Sequence, residues 1–303
     1  MHSMNSKDIL IGFIGQGFVG KSYADDFEKR GYNIVRYALE EPYKANRDKI
    51  KGCDLVFIAV PTPTKKNGFD LSIVEAALSL VGKGKIAVIK STILPGLTRQ
   101  LQKKFPKIIV LFSPEFLNAA TAAHDAANPF SNIVGLPSKT DKHKNAAELV
   151  HSVLPKAPFK HTSTSEEAEL YKYAHNVSGV MQVLTYNMMY DVAEKFGADW
   201  ASVHKALEAD PMVSNWYIKP VHKSGRGAGG ACFIKDFAAF AKLYRETVGK
   251  KEGIALLQAA EKKNIMLLVG TNKDLDLLTG VYGPGVLKKG PAKKKTAKTT
   301  KKR

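Results

Sequence analysis

The first half of the chain alternates short apolar runs with segments in which apolar residues recur at helical spacing. The runs predict buried strands, and the spacing predicts amphipathic helices. Such alternation is typical of an α/β domain built on a parallel sheet. We therefore expect a Rossmann-type, doubly wound parallel sheet within residues 1–160. Its predicted strands are 9–14, 33–37, 54–60, 86–90, 108–112 and 132–136, and its predicted helices are 18–30, 71–80 and 142–153.

The second half shows helical periodicity and almost no strand signal. Ser163 or Thr164, with a glutamate three residues later, predicts a capping box at the start of a helix. The helical pattern then continues past Gly179 to Phe196, so we expect one long central helix. A further helix is predicted over 251–268, after which residues 271–284 fade into a basic tail. We assign residues 161–285 to an all-helical domain.

The net charge of +18 is concentrated at one end of the chain. Residues 288–303 hold nine lysines and arginines, no acid, and nothing apolar enough to build a core. This composition predicts disorder, and we expect a disordered, lysine-rich tail over 286–303. Such a run is either a solvated tail or an arm that binds a polyanion.

Composition also indicates the cellular compartment in which the protein is expected. Two cysteines, Cys53 and Cys232, do not make a disulfide framework and indicate a reducing environment. The apolar run 9–14 is too short for a signal peptide or a membrane span. We expect a cytoplasmic protein. The eight histidines form no pair at ligand spacing with cysteine or carboxylate, so no metal site is predicted.

A glycine-rich turn between the first predicted strand and helix has the spacing GxGxxG, which in this context predicts dinucleotide binding. The helix N-terminus would face the phosphates. After the second strand, Ala38 stands where an acid is usual, while Glu40 could bind the ribose hydroxyls and Arg36 could meet a 2′-phosphate. We prefer NAD over NADP. The turn consists of Gly15, Gln16, Gly17, Phe18, Val19 and Gly20.

Three polar turns follow later strands of the predicted sheet. Ligands of open parallel sheets lie beyond the carboxyl ends of the strands, so these turns belong to the functional edge. Thr92 could equally cap a helix, and Glu115 could be a solvated loop acid. The residues concerned are Pro61 and Thr62 after the third strand, Thr92 after the fourth, and Glu115, Phe116 and Leu117 after the fifth.

The central helix places Lys172 and Asn176 one turn apart and therefore on one face. A helical lysine is usually solvated. Beside an amide and apolar neighbours, however, it could project into a cleft and take a hydroxyl proton.

Cys232 is the candidate nucleophile. It follows a glycine-rich stretch, with four glycines among residues 225–230, and precedes apolar residues at helical spacing, so we expect it at a helix N-terminus, where the dipole favours a thiolate. Lys235 adds positive charge nearby. The glycines would let the loop fold tightly around a substrate. The alternative is an inert core thiol. We assign no chemistry to Cys53, because it precedes the third predicted strand at the end away from the functional edge.

These motifs resemble the UDP-glucose/GDP-mannose dehydrogenase family, whose members use NAD to oxidise a sugar C6 alcohol twice. The likeness spans about residues 8–270 and includes 15–20, 60–64, 91–92, 113–117, 169–176 and 229–236. It implies that Cys232 captures the aldehyde as a thiohemiacetal and then a thioester, and that Lys172 and Asn176 stabilise the oxyanion. Asp236 and Thr92 would order water, and Glu115 would handle protons. The implied substrate contacts are Glu115, Phe116, Leu117, Lys172, Asn176, Tyr217, Lys219 and Gly229, and the implied cofactor contacts add Glu40, Pro61, Thr62, Thr92 and Lys235.

The sequence also departs from the family pattern. A third, nucleotide-binding domain is expected to be missing, Ala119 replaces a glutamate, and Met212 stands where a substrate-contacting arginine is common. In that case either a partner chain completes the site, or the substrate is smaller than a nucleotide sugar. Two other functions therefore stay open: a two-electron, 3-hydroxyacid-type dehydrogenase, and an NAD-binding scaffold without turnover. The resemblance and the apolar central helix also predict a homodimer.

Overall fold

A computed structural model of the protein describes residues 8–65, 68–214 and 216–289. The chain divides into two compact units. The first comprises the residues up to Pro63 together with Phe69–His175, and the second comprises 64–68 and the residues from Asn176 onward. The domain limits at 160 and 285 stay a prediction about which parts fold independently.

The first unit is built on a seven-stranded sheet with the order β2-β1-β3-β6-β7-β8-β9. Neighbouring strands run parallel except β7 and β8, which are antiparallel. The predicted α/β fold with a parallel sheet is therefore confirmed, with one antiparallel pair within the sheet. The strands are β1 Leu10–Ile14, β2 Asn33–Tyr37, β3 Leu55–Ile58, β4 Thr64–Lys65, β5 Gly68–Phe69, β6 Ile86–Ile89, β7 Ile109–Phe112, β8 Ser131–Leu136, β9 Phe159–Thr164, β10 Val221–His222 and β11 Gly225–Arg226.

Helices cover both faces of this sheet, and each face has its own apolar core. β3, β6 and β7 are buried along their whole length because both of their faces are covered. The helices are α1 Phe18–Lys29, α2 Ser72–Leu78, α3 Leu97–Lys104, α4 Ala122–Ala127, α5 Asp141–Val153, α6 Ser165–Phe196, α7 Trp200–Ala209, α8 Gly230–Thr247, α9 Lys251–Gly270 and α10 Leu275–Tyr282, with 3₁₀ segments at Lys44–Gly52 and Pro284–Lys289.

The long central helix forms as predicted, from Ser165 to Phe196. The predicted capping box is Thr164 with Glu167: the Glu167 carboxylate accepts from the Thr164 amide at 2.7 Å, and the Glu167 amide donates to the Thr164 hydroxyl at 3.4 Å. Gly179 does not interrupt the helix. A Cβ at this position would overlap the Phe233 ring, so the glycine lets Phe233 pack directly against the helix backbone.

Several regions differ from the expectation. β10 and β11 form a short antiparallel hairpin inside the domain that was expected to be all-helical. β9 was not predicted, because five of the six residues of Phe159–Thr164 are polar and the first three are exposed. Residues 275–289 form α10 and a 3₁₀ segment instead of fading into a tail, and Val286 is buried in an apolar cluster. The predicted disorder is therefore corrected for 286–289, and residues 290–303 lie outside the described part. No helix within that part is long and apolar enough to cross a membrane.

Candidate functional site

The turn between β1 and α1 has the geometry that phosphate binding needs. Gly15 adopts a φ of +91°, and a Cβ at Gly15 or Gly20 would overlap a backbone carbonyl oxygen, of Ala59 and of Gly15 respectively. A Cβ at Gly17, the N-cap of α1, would meet nothing within 4 Å. No side chain caps α1, and its first turn holds no acid. A dinucleotide pyrophosphate fits this open, positively polarised helix end.

The two residues that could distinguish NAD from NADP have different surroundings. The Arg36 guanidinium is ion-paired with Asp25 at 2.5 Å and with Glu28 at 2.7 Å. Both carboxylates already satisfy the group that could have met a 2′-phosphate. Glu40 is exposed just beyond the end of β2. The arrangement favours recognition of ribose hydroxyls by Glu40 over recognition of a phosphate by Arg36.

The turns after β3 and β6 are joined by Ser91, which was not predicted to have a role. Its hydroxyl donates to the Val60 carbonyl at 2.7 Å and accepts from the Val60 amide at 2.9 Å. Thr62 and Thr92, in these two turns, are both buried, whereas Pro61 is exposed. The N-cap of α3 is Gly96, so the alternative reading of Thr92 as a helix cap is wrong.

Glu115 and Lys172 form a buried ion pair, with 3.2 Å between Lys172 Nζ and Glu115 Oε1. The ammonium also donates to the Glu115 carbonyl at 2.5 Å and lies 4.9 Å from the centre of the Phe116 ring. Glu115 Oε2 accepts from the Leu117 amide at 2.8 Å. Both side chains are under 10% exposed. A solvated loop acid and a solvated helical lysine are therefore excluded.

Glu169, one turn before Lys172, holds α6 against the start of α3. Its carboxylate accepts from the amides of Gly96 and Thr98 at 2.6 and 2.8 Å and from the Thr98 hydroxyl at 2.5 Å. Burial raises the pKa of Glu169 to about 7, although these three donors favour the carboxylate. Glu169 thus caps α3, and because it lies one turn before Lys172 on α6, it helps to fix the position of Lys172 at the edge of the sheet.

In the second unit, Asp236 is fully buried and joins two other predicted site residues. Its Oδ2 accepts from the Asn176 amide at 2.6 Å, and its Oδ1 pairs with Lys235 Nζ at 2.5 Å. The Asn176 side chain thus has a fixed orientation. The positive charge of Lys235, expected to act beside the cysteine, is partly satisfied by Asp236.

Cys232 is the third residue of α8, in its first turn, as expected, and is partly exposed. Two of the four preceding glycines have the expected positive φ, Gly227 at +91° and Gly230 at +79°. The other two are in close contact with side chains. A Cβ at Gly229 would overlap the Asp274 carboxylate, and one at Gly225 would overlap the Thr271 side chain. The Asp274 carboxylate also accepts from the Gly230 amide at 2.8 Å. Gly225 and Gly229 thus make room for neighbouring side chains of the same unit.

The remaining predicted positions are more peripheral. Tyr217 packs edge-on against Phe233, with 5.4 Å between ring centres, and burial raises its pKa. Lys219 is exposed beside a small hollow of about 230 Å³ that Tyr190 and Trp200 also line. Cys53, to which we assigned no chemistry, is buried, and its thiol pKa is raised by burial to about 11.

Two domain models of one family match this chain. Residues 33–154 match the NAD binding domain of the UDP-glucose/GDP-mannose dehydrogenase family, and residues 166–265 match its central domain. The chain belongs to this family. Since the first model is the NAD binding domain, the cofactor is NAD, which agrees with the open turn at Gly17.

Individual family relatives agree with this assignment. The UDP-glucose 6-dehydrogenase TuaD of Bacillus subtilis is 30% identical over 77% of this chain and 51% of its own length. The UDP-glucose 6-dehydrogenase AglM of Haloferax volcanii is 26% identical over 76% of this chain and 64% of its own. A solved UDP-glucose dehydrogenase from Pyrobaculum islandicum has a TM-score of 0.72 and 25% identity over 87% of this chain and 69% of that one.

The chain thus spans roughly half to two thirds of these two sequence relatives. Within residues 8–65, 68–214 and 216–289, no group of three His, Cys, Asp or Glu side chains is arranged to hold a metal ion.

Proposed function

We propose that this protein oxidises the C6 alcohol of a nucleotide sugar to the acid, in two steps with NAD. Membership of the family supports the substrate class. The observation that carries the proposal is the buried Glu115–Lys172 pair. Removing two charges from solvent costs stability, and buried charged pairs of this kind are concentrated at functional sites. NAD, when bound, supplies the hydride acceptor for both oxidations.

In the first oxidation the C6 hydroxyl loses its proton and the C6 carbon loses a hydride, which leaves the aldehyde. We propose that the Glu115–Lys172 pair accepts this proton. The two groups are in contact and shielded from water, so a proton can pass between them. Lys172 and Asn176, one turn apart on α6, would hold the alcohol oxygen as its negative charge develops. Tyr217, Lys219 and Gly229 remain proposed substrate contacts.

In the second oxidation the Cys232 thiolate adds to the aldehyde carbon and forms a thiohemiacetal. In this adduct the carbon is tetrahedral and bears a hydroxyl group, so its hydrogen can leave as a hydride while the hydroxyl loses a proton, and a thioester remains on the sulfur. Water then attacks the thioester carbon, and the acid departs as the thiol is regenerated. Asp236 and Thr92 are proposed to order this water; the fixed Asn176–Asp236 hydrogen bond supports a defined position for the carboxylate.

The test counts NADH per molecule of acid with a panel of UDP- and GDP-sugars. Two NADH per acid are expected, and Cys232→Ala should abolish acid formation. Cys53→Ala is the matched control, because it removes the other, buried thiol and should keep turnover. One NADH per product, with activity retained in Cys232→Ala, would instead establish a two-electron hydroxyacid-type dehydrogenase. NAD binding without oxidation of any sugar would establish a scaffold.

We further propose that the protein acts as a homodimer through α6, in the cytoplasm, where the reactive thiol stays reduced. On α6, Met188, Met189 and Val192 are each about half exposed and Phe196 is 82% exposed, which leaves an apolar stripe for a second copy. A Met189→Glu variant that lowers the mass in solution by half would support the dimer.

The basic run 288–303 lies mostly outside the described residues, and its binding to polyanions stays a prediction.

A further inference from the structure

Two buried lysines hold neighbouring carbonyls of one turn. Lys172 Nζ donates to the Glu115 carbonyl at 2.5 Å, and Lys90 Nζ donates to the preceding carbonyl, of Pro114, at 3.2 Å. Lys90 also donates to the Ser113 hydroxyl at 3.3 Å. The turn from Ser113 to Leu117 is thus fixed at successive residues by two ammonium groups that come from different elements.

We propose that Lys90 is a positioning residue for Glu115, holding the Ser113–Pro114 backbone so that the Glu115 carboxylate meets Lys172. The kinetic part of this inference rests on the proposed dehydrogenase function; the geometric part does not. Lys90 follows the last residue of β6, and its ammonium lies 4.5 Å from the centre of the Tyr23 ring on α1. It therefore connects the glycine-turn helix to the turn that carries Glu115.

The contacts of Lys90 explain why a lysine is needed at this place. Its described partners are a hydroxyl, a carbonyl and an aromatic face, all uncharged, and the residue is only 3% exposed. A buried ammonium without a carboxylate is expensive, so an apolar side chain would stabilise the fold better if packing were its only task. The N–H groups of Lys90 are directed at Ser113 and Pro114, in the turn that carries Glu115.

The surroundings of Lys90 bring its pKa close to neutral pH. Burial lowers the pKa of Lys90 to about 7, Glu115 opposes this change, and Lys172 adds to it. Below about pH 7 Lys90 is mainly a charged ammonium, and above it mainly a neutral amine. Because the folded pKa lies below the unfolded one, the contribution of Lys90 to stability rises with pH from about 7 to 10.5.

The first readout needs no substrate. The Leu117 amide donates to Glu115 Oε2 at 2.8 Å, so its hydrogen exchange reports the position of that carboxylate. Lys90→Met should make this amide exchange faster. Lys85→Met is the matched control, because Lys85 precedes the same strand at its other end and pairs with Asp54 at 2.6 Å. It should leave the Leu117 amide protected.

The second readout separates positioning from simple packing. Lys90→Met should lower kcat on the order of a hundredfold, the cost of a misplaced catalytic group, with the Kd for NAD unchanged. We expect the kcat profile of the unmodified protein to change near pH 7, where Lys90 titrates. Lys90→Arg should protect the Leu117 amide as lysine does but remove the Lys90 contribution to that change, because arginine keeps its proton.

The inference is overturned if Lys90→Met leaves both the Leu117 exchange rate and the pH profile unchanged. Should that variant not fold, Ser113→Ala removes one acceptor of Lys90 and should produce the same change in exchange, in smaller degree. If the unmodified protein oxidises no nucleotide sugar, the proposed function fails, and the exchange measurement alone decides the role of Lys90.

Discussion

Helices α1 and α8 both begin directly after a glycine-rich turn, yet their N-terminal ends are used in opposite ways. At α1 the N-cap Gly17 faces open space, and no side chain caps the helix. At α8 the Asp274 carboxylate accepts from the Gly230 amide and fills the space beside the N-cap, Gly229. The first turn is left open for a ligand anion, and the second already holds an anion of its own.

This difference bears on how Cys232 is activated. A helix N-terminus favours a thiolate in its first turn, but at α8 the positive end of the dipole is shared with Asp274. Lys235, the nearby cation, is paired with Asp236. The dipole of α8 therefore contributes less to the proposed thiolate than an unshared helix end would. At α1, the full dipole is available to a pyrophosphate.

The largest effect on stability is expected from Gly20→Ala. The new Cβ would overlap the Gly15 carbonyl and lie 3.3 Å from the Ala59 side chain, so helix and strand must separate. We expect a loss of about 3 kcal/mol in the free energy of unfolding, measured by urea titration. Gly280→Ala, in α10 with open space around it, is the control and should be neutral or stabilising. Equal effects would contradict the proposed tight packing at Gly20.

A smaller loss, about 2 kcal/mol, is expected from Gly229→Ala. Its backbone is extended, so the cost comes from contact with Asp274 and not from strain. The same substitution in an Asp274→Ala background should cost about 1 kcal/mol less, because the overlapping carboxylate is gone. Additive losses in a double-mutant cycle would show that Asp274 does not occupy the α8 terminus.

Local signals in the sequence predicted the first turn better than the second. The three glycines of 15–20 have the roles that their spacing predicts: Gly15 turns the chain with positive φ, Gly17 leaves space, and Gly20 allows close packing. The capping box of Thr164 and Glu167 was likewise readable, because its partners are three residues apart. Both patterns are complete within a few residues.

What sequence could not predict depends on distant partners. Asp274 is 44 residues from Gly230, so nothing near the α8 glycines shows that a carboxylate fills their space. From the sequence, Lys90 would be expected to be a solvent-exposed lysine at the end of a strand. Only the fold brings Ser113 and Tyr23 next to its ammonium group. β9 was missed because its exposed residues hide the alternation of a buried strand.

The smallest effect on stability, and the sharpest test of the comparison, belongs to Gly17→Ala. The added methyl group meets nothing within 4 Å and the backbone there is extended, so the free energy of unfolding should change by less than about 0.5 kcal/mol.

The affinity of the same variant for NAD should nevertheless fall by about tenfold or more, at least about 1.4 kcal/mol by calorimetric titration, because the methyl group stands where the pyrophosphate approaches. Gly52→Ala is the matched control: it adds the same group at another open position, at the end of the 3₁₀ segment after β2, and should keep both stability and NAD affinity. If Gly17→Ala binds NAD as tightly as Gly52→Ala does, the open end of α1 is not the pyrophosphate site, and the contrast with α8 loses its functional meaning.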